Sequence, residues 1–260
     1  MDRRRIIGAM LELTLVGGPT ALIRWAGLRW LTDPTFSPPG EYDDLVKTTG
    51  PAISADDVGP VDVVLLSHEH HADNLDPAGR EFLPRAGRVL TTAQGAVRLG
   101  GNAIGMEPWA TAQISRPEGE PVTVTAVPAR HGPEGSEPVT GPVIGFVLSA
   151  PGEDTVYVGG DNAALEVVAE VAERIGAIDL FIPFAGGVQI PGYLGGAYLT
   201  LTSDRAAEAT ILLGARAALP VHYTGWTHFR QDPDRVRDAF AGNGVSDRLV
   251  LAAPGETVTA

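Results

Sequence analysis

From Leu11 the chain alternates apolar and polar positions in "LELTLV", turns at Gly-Gly-Pro, and resumes in "TALIRWA" and "LRWLTDP". A period of two sends successive side chains to opposite faces, so these segments predict a meander of β-hairpins. "VDVVLLS" (61–67) is instead a continuous apolar run of strand length, the pattern of a strand buried on both faces. "RVLTT" and "PVTVTAVPA" predict further strands. "GPVIGFVLSA" and "TVYVGG" predict an antiparallel pair around the turn "PGED".

After Asp161 the period changes. "NAALEVVAEVAERIG" carries apolar residues at helical spacing and ends on Gly176, a suitable C-cap. "IDLFIPF" reads as a buried strand. "SDRAAEATILLGA" reads as a second helix capped by Ser203 or Asp204, and "AALPVHY" as the strand after it. The Gly-rich segment "AGGVQIPGYLGGAYLTLT" (185–202) has no clear period. A long loop of this kind inside a compact domain points to function. No linker-like break interrupts the pattern, so residues 1–9 read as an N-terminal extension and 10–260 as one domain.

Composition and charge change this picture in four ways. No stretch approaches the ~18 apolar residues of a membrane span. "RRRIIGAMLELTLVGG" imitates a signal peptide, but Glu12 interrupts its apolar run and no small-residue cleavage site follows, so a cytoplasmic protein is expected. A net charge of −13 disfavours a nucleic-acid partner, because phosphates would be repelled. A small-molecule substrate suits this chain better, and a homo-oligomer is compatible with it. The absence of cysteine leaves only nitrogen and oxygen donors for any metal.

The six histidines fall at 68, 70, 71, 131, 222 and 228, and "SHEHHADNLD" holds three of them. None falls in a predicted helix. His68, His131, Asp161 and His222 each follow a predicted strand, the edge at which α/β folds gather ligands. Singly, each has a plain structural role: Asp161 as a helix cap, His131 in a loop, His222 in the core, the 68–73 run as a solvated turn. Together they form a set of borderline donors suited to zinc, with manganese or iron as alternatives.

"SHEHHADNLD", "VPARH", "YVGGD" and "LPVHY", in this order, resemble the metallo-β-lactamase superfamily. "LTDPTF" and "PVHYTGW" are similar to its lactonase-like branch, which includes L-ascorbate-6-phosphate lactonase. The resemblance runs from about Leu11 to the C-terminus. It implies an αββα four-layer sandwich with a metal centre at one edge. It further implies that His68, one of His70 and His71, and His131 hold a first metal, that Asp73 and His222 serve a second, and that Asp161 bridges them.

The usual signature of this superfamily, HxHxDH, is not spelled out. Strand alternation favours His70 over His71, provided the strand continues that far. Asn74 stands where a final histidine belongs, so one tight and one weaker metal site are expected, and Asn74→His should tighten the second. The implied activity is hydrolysis of a small ester, lactone, amide or phosphoester by a metal-bound hydroxide, with Asp73 as the proton carrier. No G-x-S-x-G motif offers a serine nucleophile. Tyr193, Trp226 and His228 are the expected pocket residues. The competing reading is a non-catalytic metal-binding or scaffold protein on the same fold.

Overall fold

The computed structural model describes residues 10–260, so the predicted extension 1–9 lies outside the described residues. The predicted meander is present as β1 (Glu12–Gly17), β2 (Thr20–Trp25) and β3 (Leu28–Thr32), paired antiparallel. A small hairpin of β4 (Gly40–Tyr42) and β5 (Leu45–Lys47) follows, then helix α1 (Ala55–Val58) and strand β6 (Val61–Leu65). Helix α2 (Pro77–Phe82), β7 (Ala86–Thr92), α3 (Ala93–Leu99) and β8 (Ala103–Met106) complete the first half. The short helices escaped the sequence pattern because one or two turns give too little periodicity to see. α2 does carry a capping signal, since the Asp76 side chain accepts from Gly79 N and Pro77 opens the helix.

The second half contains β9 (Thr111–Ile114), β10 (Val122–Ala129), α4 (Glu137–Thr140), β11 (Val143–Ser149) and β12 (Val156–Val158). Then come α5 (Leu165–Ile175), β13 (Leu180–Ile182), α6 (Ser203–Leu213), β14 (Ala217–Ala218), α7 (Pro233–Gly242) and β15 (Thr257–Thr259). α5 ends at Gly176, as predicted, with φ +88°. α6 is capped by Thr202, whose hydroxyl accepts from Arg205 N, and not by Ser203 or Asp204. The predicted strand "AALPVHY" is regular only over Ala217–Ala218, because its later residues turn toward the site.

Besides the β4–β5 hairpin, two large sheets result among the described residues, one ordered β15-β1-β2-β3-β6-β7-β8 and the other β14-β13-β12-β11-β10-β9. Each begins as an antiparallel meander and finishes with parallel strands. Alternate residues of the first sheet separate cleanly. Ile23, Val63, Leu65 and Leu90 join the core that contains Val124, Phe146 and Phe181 of the second sheet. Leu22, Val64 and Val89 join a second core with Val58, Leu75 and Phe82 beneath α1 and α2. α5, α6 and α7 pack on one another and contribute Val168, Ala206 and Phe240 to the inter-sheet core. This is the αββα sandwich. Among the described residues, no helix is long and apolar enough to cross a membrane.

Candidate metal centre

Four strand ends deliver the donors to one edge. His68 lies three residues beyond β6, His131 two beyond β10, Asp161 three beyond β12 and His222 four beyond β14. The chain after β6 leaves the strand at Leu66 and winds into a turn, with Asn74 N and Leu75 N both donating to His71 O. That turn sends the two adjacent histidines to different neighbours. His71 Nδ1 stands 2.9 Å from His68 Nε2 and 3.2 Å from His131 Nε2. His70, favoured by strand alternation, lies outside this group because the strand has ended at Leu65. Its Nε2 is instead 2.8 Å from Arg98 and 3.6 Å from Glu69.

The tautomers of two rings follow from their second nitrogens. His131 Nδ1 donates to the carbonyl of Leu199 at 2.7 Å, which leaves a lone pair on Nε2. Ser67 Oγ donates to Asp33 Oδ2 at 2.8 Å, so it accepts from His68 Nδ1 at 3.0 Å, which again leaves Nε2 bare. Burial drives the pKa of His68 well below its ordinary value and lowers that of His71. A proton on His71 Nδ1 could serve one of these two contacts, at 2.9 or 3.2 Å, and would leave the other ring nitrogen without one. A cation resolves this. Ligands around one tetrahedral zinc would be spaced by about 3.3 Å for Zn–N bonds of about 2.05 Å.

A second group lies beside the first. His222 Nε2 is 3.4 Å from Asp73 Oδ2 and 3.6 Å from Asp161 Oδ1. The other oxygen of Asp161, Oδ2, is 3.6 Å from His131 Nε2. One buried carboxylate therefore faces both groups. Asp161 Oδ2 and His222 Nε2 are buried without a hydrogen-bond partner, as an oxygen facing the first group and a ring nitrogen facing the second would be if each served a cation. His68, His71 and His131 thus suit one metal, and Asp73, Asp161 and His222 another.

Residues 29–223 match the family described as the β-lactamase superfamily domain. The chain belongs to the β-lactamase superfamily. Among its relatives is the UPF0173 metal-dependent hydrolase of Caldivirga maquilingensis, 27% identical over 89% of this chain and 90% of the other. The protein of the same description from Methanopyrus kandleri is 28% identical over 95% and 99%. Two solved structures share the metallo-β-lactamase fold. The isothiocyanate hydrolase from Delia radicum gut bacteria superposes with a TM-score of 0.80 at 18% identity, covering 95% of this chain and 98% of its own. Igni18, a metallo hydrolase from Ignicoccus hospitalis, gives 0.73 at 23% identity, covering 97% and 99%.

In this superfamily member the backbone is bent to present His222. The residue has φ +63°, in the left-handed region that side chains other than glycine rarely occupy. Its ring lies between Phe184, 5.1 Å away and stacked, and Phe229 at 4.1 Å. Gly186 makes room for this bend, since a Cβ there would sit 2.0 Å from His222 O. Asp73 faces two imidazoles, bonded by His228, whose Nε2 is 2.8 Å from its Oδ2, and approached by His222 at 3.4 Å. Burial alone would raise the Asp73 carboxyl, but His228 and His222 outweigh it and hold it well below the usual carboxylate range. Burial also depresses His222, and Asp161 with Asp73 more than reverses that, so its pKa is raised.

The expected pocket residues divide. Tyr193 and His228 line the cavity in front of the donors, and Tyr193 Oη donates to Val139 O at 3.2 Å. Trp226 does not line it. This residue is buried behind His228 and Tyr42, at ring distances of 5.9 and 6.2 Å. Sequence reasoning missed Asp33 and Ser67, which set the His68 tautomer. Asn74 is no vacancy either: its amide nitrogen lies 3.2 Å from both Asp33 Oδ2 and Asp161 Oδ1. Only "LTDPTF" hinted at Asp33, and no spacing rule links it to a turn more than thirty residues away.

Proposed function

We propose that this protein is a metal-dependent hydrolase of a small ester, lactone, amide or phosphoester, with zinc as its metal. The observation that carries the reading is Asp161, a buried carboxylate with one oxygen toward each of two donor groups. Membership of the superfamily and the metal-dependent hydrolases among the relatives support the same class. Bound metal supplies a water of lowered pKa and polarises the attacked oxygen. The chain's own residues would then do the rest. Asp73, kept ionised by His222 and His228, takes a proton at its carboxylate and returns it to the leaving atom. His228 holds that carboxylate in place, and the Phe184 and Phe229 rings keep water from the far side of His222.

The test is Asp73→Asn, which keeps the shape and removes both the charge and the proton acceptor. Zinc-loaded wild type should hydrolyse members of an ester, lactone, amide and phosphodiester panel. The variant should lose about 10²- to 10⁴-fold in rate while elemental analysis still finds one ion per chain, the number the His68, His71 and His131 group would hold. Equal rates in the two proteins would refute the mechanism. A fully loaded wild type inert to the whole panel would favour the non-catalytic reading.

A further inference from the structure

The cavity before the two donor groups has a volume of about 250 Å³ and an uneven lining. His71, Asp73, His131 and His228 form its metal-facing side. Leu45, Val188, Ile190, Tyr193 and Leu199 form an apolar wall. The remaining side is His70, Ala72 and, at the tip of the β4–β5 hairpin, the exposed carboxylates of Asp43 and Asp44. No lysine or arginine among the described residues lines this cavity.

Four cations close to the cavity in the fold have partners of their own. Lys47 Nζ donates to Thr35 O and Asp76 Oδ2, at 2.9 and 2.8 Å, and is buried. Arg98 pairs with Glu69 at 2.5 Å and reaches His70, while Arg80 donates to Glu69 O and Arg230 to Gln189 O. The hairpin that carries the acidic tip is firmly placed. Thr227 N donates to Val46 O at 3.0 Å and Thr48 N to Gly225 O at 2.8 Å, on the loop that continues to His228. Lys47 also lies over the Trp226 ring at 5.5 Å.

A site built for phosphate or carboxylate recognition presents arginine, lysine or a helix N-terminus to the anion. This one presents a hydrophobic wall and two like charges. Resting on the hydrolase reading, we propose that the substrate carries no negative charge beyond the reacting group. It is an uncharged or cationic carboxylic ester, lactone or amide whose apolar body lies on the Val188–Ile190–Leu199 wall. Asp43 and Asp44 turn away phosphorylated and carboxylate-bearing molecules.

Two measurements test this, one with activity and one without. Zinc-loaded wild type should favour para-nitrophenyl acetate over mono-para-nitrophenyl glutarate, its carboxylate-bearing counterpart, by about tenfold or more in kcat/KM. The double variant Asp43→Asn with Asp44→Asn should reduce that preference to a few-fold, and the corresponding double lysine variant should reverse it. A ratio unmoved in both variants, or a wild-type preference for the glutarate or for a phosphodiester, would overturn the proposal. In the second measurement, benzamidinium and benzoate are titrated into metal-free protein and followed by NMR shifts of the cavity residues. Asp73 and Asp161 attract a cation in any case, so the deciding quantity is the change between wild type and variant. The double asparagine variant should close much of the gap between the two ligands, and an unchanged gap overturns the charge assignment. An inert zinc-loaded enzyme would sink the hydrolase reading alone, with the binding pair still deciding the character of the cavity.

Discussion

Asn74 holds Asp161. Its amide nitrogen stands 3.2 Å from Asp161 Oδ1 and at the same distance from Asp33 Oδ2, with all three side chains buried. Both partners are acceptors, so the amide must donate to both. Through Ser67, Asp33 also reaches His68, and this single carboxylate therefore orients a donor in each metal group.

The expectation that Asn74→His tightens the second group is accordingly revised. A neutral imidazole has one N–H and cannot serve both carboxylates. Asn74→His and Asn74→Ala should each weaken metal binding at Asp73, Asp161 and His222 by about 10- to 100-fold, the usual cost of losing an outer partner. Metal titration of chelator-stripped proteins would decide it. Tighter binding in the histidine variant would show that position 74 can supply a ligand after all.

His131→Ala should remove most bound metal while the protein stays folded. His131 supplies a bare Nε2 to the first group and also faces Asp161, so both groups suffer. Outside the donor group the side chain loses its bond to Leu199 O, at a cost of about 1–3 kcal/mol. Elemental analysis with far-ultraviolet circular dichroism checks both halves. Full metal content in the variant would exclude His131 as a ligand.

Asp33 should make the metal-free protein sensitive to pH. Burial raises its carboxyl to about 7 and Asp161 adds to the shift, against opposing hydrogen bonds from Ser67 and Asn74. A folded pKa above the unfolded 3.8 means that the stability is fully present below about 3.8 and is lost as pH rises toward 7. Relative to Asp33→Asn, which stays neutral, the wild-type Tm should therefore fall across that window. Calorimetric scans at a series of pH values would show it, and a constant difference would mean that the group does not titrate there.

Lys47→Met should destabilise the fold by about 3 kcal/mol, because it leaves the buried Asp76 carboxylate without its cation. Asp76 keeps its bonds from Phe36 N, Ser37 N and Gly79 N, which limits the loss. The variant should also loosen the hairpin beside the cavity. Urea unfolding measures the first effect. A stability within experimental error of wild type would show that these backbone donors suffice.

Ten of the fifteen described strands, the helices α5 and α6 and the location of the donors at strand ends were legible in the sequence, because periods of two and 3.6 report directly which faces meet the core. The short strands β4, β5, β8, β9 and β15 and the helix α7 were not. The donor chemistry was legible too, since a chain without cysteine leaves imidazole and carboxylate to hold a metal. That His71 and not His70 stands beside His68 and His131 was not legible. It depends on the strand ending at Leu65 and on the turn that follows, which are set by packing and not by local period. The roles of Asp33, Ser67 and Asn74 were equally hidden, since their bonds join parallel strand ends that only the folded sheet brings together. The same holds for the acidic tip at Asp43 and Asp44. In the sequence these residues are an ordinary turn, and they become a wall of the cavity only because Lys47 and Trp226 anchor the hairpin across from His228. Local pattern fixes which groups a chain can offer, whereas contacts distant in sequence decide what those groups face.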